Sequence, residues 1–182
     1  MKLKGLTGLN RLKGLGPSNS QLPTLADDRP KLDVGREDPL VAEIWRVMGG
    51  RNKDLKAARQ AAKLQEKLPY ATTPELLTYL WLKEKGVNFE FQAEAAGGRA
   101  RHGGSVVDFL VLFGGTWAWR VQGYYHTRPE QKALDDARKR ALLQEGVLGY
   151  QLDGVVDIWE MQIYQDRETV LTLALSGVQI GQ

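Results

Sequence analysis

The 182-residue chain contains no cysteine and only two histidines, His102 and His126. A disulfide framework, a thiolate nucleophile and a cysteine-ligated zinc site are therefore excluded, and imidazole chemistry rests on two positions. Aromatic side chains are nearly missing from the first third, where Trp45 alone precedes residue 68. Acidic residues are missing altogether from residues 1–16, which hold Lys2, Lys4, Arg11 and Lys13. Long apolar runs are missing too: the uncharged stretch 169–182 falls short of the roughly 20 residues of a membrane-spanning helix. The early basic residues also interrupt any signal-peptide core. These absences lead to the expectation of a soluble protein not secreted by a signal peptide, with no membrane partner.

What is present is a globular composition, 42% hydrophobic and 26% charged, with a formal net charge of +3. That small net charge conceals an asymmetry. Residues 1–67 carry 14 Lys or Arg against 8 Asp or Glu, and residues 68–182 carry 11 against 14. The sequence divides on this basis into a basic extended arm, 1–38, a pair of accessory helices with a cationic face, 39–68, and an α/β domain, 69–182. The arm has no sustained periodicity, contains Pro17, Pro23 and Pro30 among scattered glycines, and repeats Leu-Lys-Gly-Leu at 3–6 and 12–15. It reads either as a disordered tail or as a segment ordered by a partner.

Asp38-Pro39 predicts a helix start, with Asp as N-cap and Pro in the first turn, and Gly49-Gly50 its end. Asn52 is expected to cap a second helix, over 53–68. On it Lys56, Arg59, Lys63 and Lys67 fall at steps of three, four and four along one face, with Lys53 preceding them. Such a face is either simply solvated or tracks phosphates. Thr73-Pro74-Glu75 opens a third helix, which Gly86 closes. Alternation over Asn88–Glu94 predicts a strand, the apolar run Ser105–Leu112 another, and Trp117–Gln122 a third, joined to the second by a Gly114-Gly115 hairpin turn. Thr127-Arg-Pro-Glu130 begins a helix to about Glu145, Gly154–Trp159 is a further strand, and 166–176 is read as a helix capped by Asp166. Helix, three strands, helix, strand, helix implies a mixed sheet of about four strands flanked by helices.

Asp108 is the one charge in an otherwise apolar strand. A buried carboxylate is costly unless paired or bound to a cation. Two readings follow: a salt bridge to Arg120 on the hairpin partner, or a metal ligand or proton-transfer group with Gln122 and His126 nearby. Gly123 lets the backbone approach a ligand. The loop 95–104, with Arg99 and Arg101, is either a plain connection or a DNA-backbone contact.

Glu75, the segment GGSVVDF with Asp108, then WRVQGYYH, DDARKRALLQEG and GVVDIWE together resemble the PD-(D/E)XK restriction-endonuclease-like superfamily. The nearest branch is similar to the very-short-patch repair endonucleases. The resemblance spans 73–164, in the order of an α-β-β-β-α-β core. It implies a Mg²⁺-dependent nuclease acting on DNA phosphodiesters. Asp108 matches the metal-ligand position, with the Val121 carbonyl as a second oxygen. Gln122 replaces an acid as a neutral metal ligand, Glu75 acts through water, and His126 is the general base or stabilises the charged phosphate. Lys53, Lys56, Arg59, Lys63, Lys67, Arg99 and Arg101 would contact the nucleic acid.

The sequence departs from that pattern at Arg120, Gln122 and Tyr124, where a second carboxylate and a lysine are expected. A cation turned toward the site would repel Mg²⁺. The alternative expectation is therefore a catalytically degenerate nuclease fold serving as a structural component, for example of a phage particle, with residues 1–38 contacting neighbours in a homo-oligomer or larger assembly. A nucleic-acid-binding module without turnover is a third reading. No Walker loop, dinucleotide fingerprint, His-Glu-x-x-His helix or nucleophile elbow occurs.

Overall fold

The computed structural model describes residues 38–95, 105–123 and 129–178. Five helices and four strands follow in the order α1 (Pro39–Val47), α2 (Asn52–Gln65), α3 (Thr73–Glu84), β1 (Asn88–Ala95), β2 (Ser105–Leu112), β3 (Thr116–Gln122), α4 (Pro129–Glu145), β4 (Gly154–Trp159) and α5 (Glu160–Leu175). The expected α/β class with a mixed four-stranded sheet is what forms. The spatial order is β1-β2-β3-β4. β1, β2 and β3 meander antiparallel, and β4 returns parallel to β3 after the α4 crossover. Of the expected arm, only Asp38 lies among the described residues, and no helix there is long and apolar enough to cross a membrane.

Local chemistry sets the helix boundaries. Asp38 accepts a hydrogen bond from Leu40 N at 2.8 Å, and Pro39 occupies the first turn of α1. α2 departs from expectation by one residue. Arg51, not Asn52, is the N-cap and makes no side-chain capping bond, because a guanidinium has no acceptor to offer the helix amides; it donates instead to Asp54 and to the carbonyls of Tyr164 and Gln165. α2 stops at Gln65, which leaves Lys67 in the turn beyond it. Gly86, at φ +66°, takes the left-handed position just after α3 that a side chain would strain.

Two apolar layers hold the sheet. On one face Phe109, Val111, Trp119, Val156 and Ile158 pack with Leu76, Leu77, Trp81 and Leu82 of α3 and with Ile163, Leu171 and Ala174 of α5. α1 and α2 extend this layer through Ile44, Ala58 and Ala61. On the other face Ala93, Val107, Leu110, Ala118 and Val155 pack with Leu142 of α4 and with Val147 and Leu152 of the α4–β4 connection. Each large side chain fully buried in these layers contributes about 1.5–3 kcal/mol.

α5 begins at Glu160, directly after β4, six residues earlier than expected, and is interrupted at Asp166 (φ −150°, ψ 73°). Asp166 Oδ1 accepts from Thr169 N at 3.3 Å, so it does cap the second segment of the helix, as its sequence position suggested.

Candidate active site

Asp108 lies where the sheet divides. Toward β1, Phe91 pairs with Phe109 and Ala93 with Val107, but the intervening residues, Gln92 and Asp108, are not paired. Gln92 has φ +52°, a backbone conformation that costs a non-glycine residue about 1–2 kcal/mol. Across this level the packing changes sides: Phe91 and Phe109 belong to the α3–α5 layer, Ala93 and Val107 to the α4 layer. Toward β3, the ladder ends at Phe109–Trp119, while β3 runs on beside β4 as far as Gln122–Trp159. β3 thus leaves β2 at Asp108. The Asp108 carboxylate occupies the opening and replaces the lost ladder bond, its Oδ2 accepting from Val121 N at 2.6 Å.

The second carboxyl comes from α3. Glu75 is the third residue of that helix, and its Oε2 accepts from Thr72 N at 2.7 Å, the reciprocal half of a capping box. This bond tethers Glu75 at the end of the helix nearest the divided strands. Its side chain also bears on Asp108, making that carboxyl harder to ionise. A carboxyl group held near another acidic side chain is harder to ionise, since ionisation sets like charges together. Burial, then the charge and hydrogen bond of Glu75, push Asp108 from 3.8 up to about 7, against the opposing pull of Val121 N–H and the more distant Arg120 charge.

Arg120 does not form the expected salt bridge with Asp108. Its Nη2 lies 2.6 Å from Asp157 Oδ1, its Nε donates to the same oxygen at 2.7 Å, and its Nη1 donates to Asp135 O at 3.3 Å. The parallel register explains this: Arg120 stands directly opposite Asp157, whereas β2 and β3 have already parted at the level of Asp108. Lys139 of α4 adds a contact at 3.4 Å to Asp157 Oδ2. Gln122, 5% exposed, donates through Nε2 to Asp157 Oδ1 at 3.2 Å, and its Oε1 is buried without a hydrogen-bond partner.

The structure therefore joins Glu75 to Asp108 and ties Gln122 to a separate polar cluster around Asp157. His126, Arg99, Arg101 and Tyr124 lie outside the described residues. Lys53, Lys56, Arg59, Lys63 and Lys67 are all exposed, the first four on α2. The sequence reading missed Asp157, although the signal was the one that singled out Asp108: a lone acid in an apolar strand. Among the described residues no group of three or more His, Asp or Glu side chains is placed to hold a metal ion. Comparison with family models, with curated proteins and with solved structures finds no match to the chain.

Proposed function

We propose that the chain is a Mg²⁺-dependent nuclease-like protein acting on DNA phosphodiesters, with the Asp108–Glu75 pair as its centre. The observation that carries this reading is the Asp108 carboxyl at the point where two strands separate, bonded by Val121 N–H and pushed up to about 7 by burial and the neighbouring Glu75. A pair poised near neutrality is suited to exchanging its proton for a hard cation.

The donor set fits Mg²⁺ in part. Asp108 and Glu75 offer carboxylate oxygens, the kind of ligand this ion prefers, and Mg²⁺ ordinarily keeps several waters beside one or two carboxylates. When bound, the ion supplies Lewis acidity toward a phosphate oxygen and makes water more acidic. The chain's own residues have separable tasks. Val121 N–H fixes the orientation of Asp108. Thr72 N–H fixes that of Glu75. Arg120, held by Asp157, is turned from direct contact with the pair, so its cation is not bonded where Mg²⁺ would sit. His126 retains the role that the family resemblance gives it, general base or stabiliser of the charged phosphate, and the exposed cations of α2 supply contacts to the DNA backbone.

One observation favours the second reading, a degenerate nuclease fold used as a scaffold: Gln122, the expected neutral ligand, is drawn to Asp157. The two readings separate in one experiment. Plasmid and linear DNA are incubated with the purified chain and Mg²⁺ or Mn²⁺, beside Asp108→Asn. Cleavage by the wild type that the variant lacks supports the enzyme. No cleavage by either protein refutes it.

A further inference from the structure

A cavity of about 200 Å³ opens between the start of α2 and the interruption in α5, with Arg51, Lys53 and Arg167 among its lining residues. It lies beside the C-terminal end of α3, where Lys85 and Trp81 bond Glu168. Glu75 is ten residues before Lys85, which at 1.5 Å per residue is about 15 Å along the helix axis. The cavity is thus separate from the carboxyl pair.

Its electrostatics are uneven. Each carboxylate on its wall is already engaged: Asp54 by Arg51, Glu168 by Lys85 and Trp81, and Asp166 by Thr169 N. Arg51 is also spent. Besides Asp54, it donates to Gln165 O and Tyr164 O, each at 3.3 Å. In an unbroken helix those carbonyls would accept from the amides of Thr169 and Glu168. Arg51 is therefore what accommodates the break in α5.

Arg167 is different. It is half-buried, and its Nη1 is fully buried without a hydrogen-bond partner. No other hydrogen bond or ion pair of its guanidinium occurs among the described residues. A buried guanidinium nitrogen without an acceptor has lost its water and gained no bond in exchange. Desolvation accordingly holds the Arg167 pKa below its ordinary value despite the neighbouring Asp54, Glu84 and Glu168 charges. Lys53, exposed on the same wall, adds a second cation and begins the row that continues through Lys56, Arg59 and Lys63.

We propose that this cavity is a phosphate-binding site, in which Arg167 and Lys53 bind the oxygens of a single phosphate group. A planar guanidinium offers paired donors suited to two phosphate oxygens, and an ammonium on the rim adds a point charge. The phosphate belongs either to a nucleic-acid backbone running along the α2 cations or to a small phosphorylated ligand. The site requires no activity from the carboxyl pair.

The test uses the full chain without divalent cations. Inorganic phosphate is titrated against sodium chloride of equal ionic strength, and the Arg167 Nε–Hε and Lys53 signals are followed by NMR. The expected result is a saturable shift of Arg167 with phosphate but not with chloride, and binding weakened about tenfold or more in Arg167→Met, the loss of one or more charge-assisted bonds. Lys53→Met, at an exposed position, provides a variant whose folding is not in question and should weaken binding severalfold. A short DNA duplex forms the second arm. If it shifts Arg167 and competes with phosphate, the source is a nucleic-acid backbone. If phosphate alone binds, the source is a small ligand. An Arg167 signal unmoved by both phosphate and duplex overturns the proposal, as does undiminished phosphate binding in Lys53→Met and Arg167→Met.

Discussion

Replacing Asp108 by Asn isolates the ionisation of the carboxyl pair while keeping its shape. The Asn oxygen can still accept from Val121 N, while its amide carries no ionisable proton. In the folded wild type the Asp108 carboxyl titrates at about 7, against 3.8 ordinarily. At 1.36 kcal/mol per pH unit, the difference amounts to about 4 kcal/mol as an upper figure. The sign follows from a folded pKa raised above the unfolded one. Below about pH 4 both states of the chain hold the proton and nothing is lost. Between about 4 and 7 the unfolded chain releases it while the folded chain retains it, so stability falls as pH rises; beyond about 7 the loss is complete. The amide of the Asp108→Asn variant cannot ionise and escapes this loss. Urea unfolding at pH 4.5, 6 and 8 without divalent cations should therefore show the stability difference, variant minus wild type, growing by about 2–4 kcal/mol across the series. Added Mg²⁺ should recover stability at pH 8 for the wild type and not for Asp108→Asn. A difference that stays constant with pH refutes the raised Asp108 pKa. A Mg²⁺ response equal in both proteins refutes the pair as the cation site.

Three further outcomes follow from other parts of the molecule. Asp157→Ala strips Arg120, Gln122 and Lys139 of a common acceptor and should cost about 3–5 kcal/mol in urea unfolding, as for a broken buried ion pair; a cost under about 1 kcal/mol would show the cluster to be effectively solvated. A Cβ at Gly177, φ +70°, would collide with the Trp117 ring, whereas one at Gly149, φ +80°, meets nothing within 4 Å. Ala at 177 should consequently destabilise by about 1–3 kcal/mol more than Ala at 149, the cost of overpacking beyond left-handed strain, and equal midpoints would refute the clash. If α2 contacts DNA, Lys56→Gln with Lys63→Gln should reduce the slope of log affinity against log salt by about 2, at roughly 0.9 per phosphate contact, and an unchanged slope would remove α2 from the interface.

The elements were legible where chain chemistry is local. β2 and β4 are apolar, β-branched runs bounded by Gly103-Gly104, Gly154 and a helix, and both fall on their expected residues. Asp38-Pro39 and Gly86 mark helix ends through capping and left-handed backbone preferences that operate within a few residues. The early start of α5 escaped notice because β4 passes into it at Glu160 with no glycine, proline or polar turn between. At the site, Asp108 was singled out as one charge among apolar neighbours, and Glu75 through the family resemblance. The partner of Arg120 was not. A hairpin suggests antiparallel neighbours directly, and it pointed to Asp108; the parallel register that sets Asp157 opposite Arg120 depends on where a seventeen-residue helix returns the chain. Nothing in the residues of β3 encodes that distance.

The division of β2 from β3 also has a spectroscopic consequence. Val121 N–H is bonded to a side chain that gains or loses charge, not to a permanently neutral carbonyl. Its amide proton should become more strongly deshielded as Asp108 ionises and so trace a titration curve of its own. A main-chain resonance thereby becomes an indicator for the carboxyl pair, readable on the unaltered side chains of the native protein. Phe109–Trp119, one step along the same strands, keeps an ordinary ladder pairing and serves as the reference that should stay still while Val121 moves.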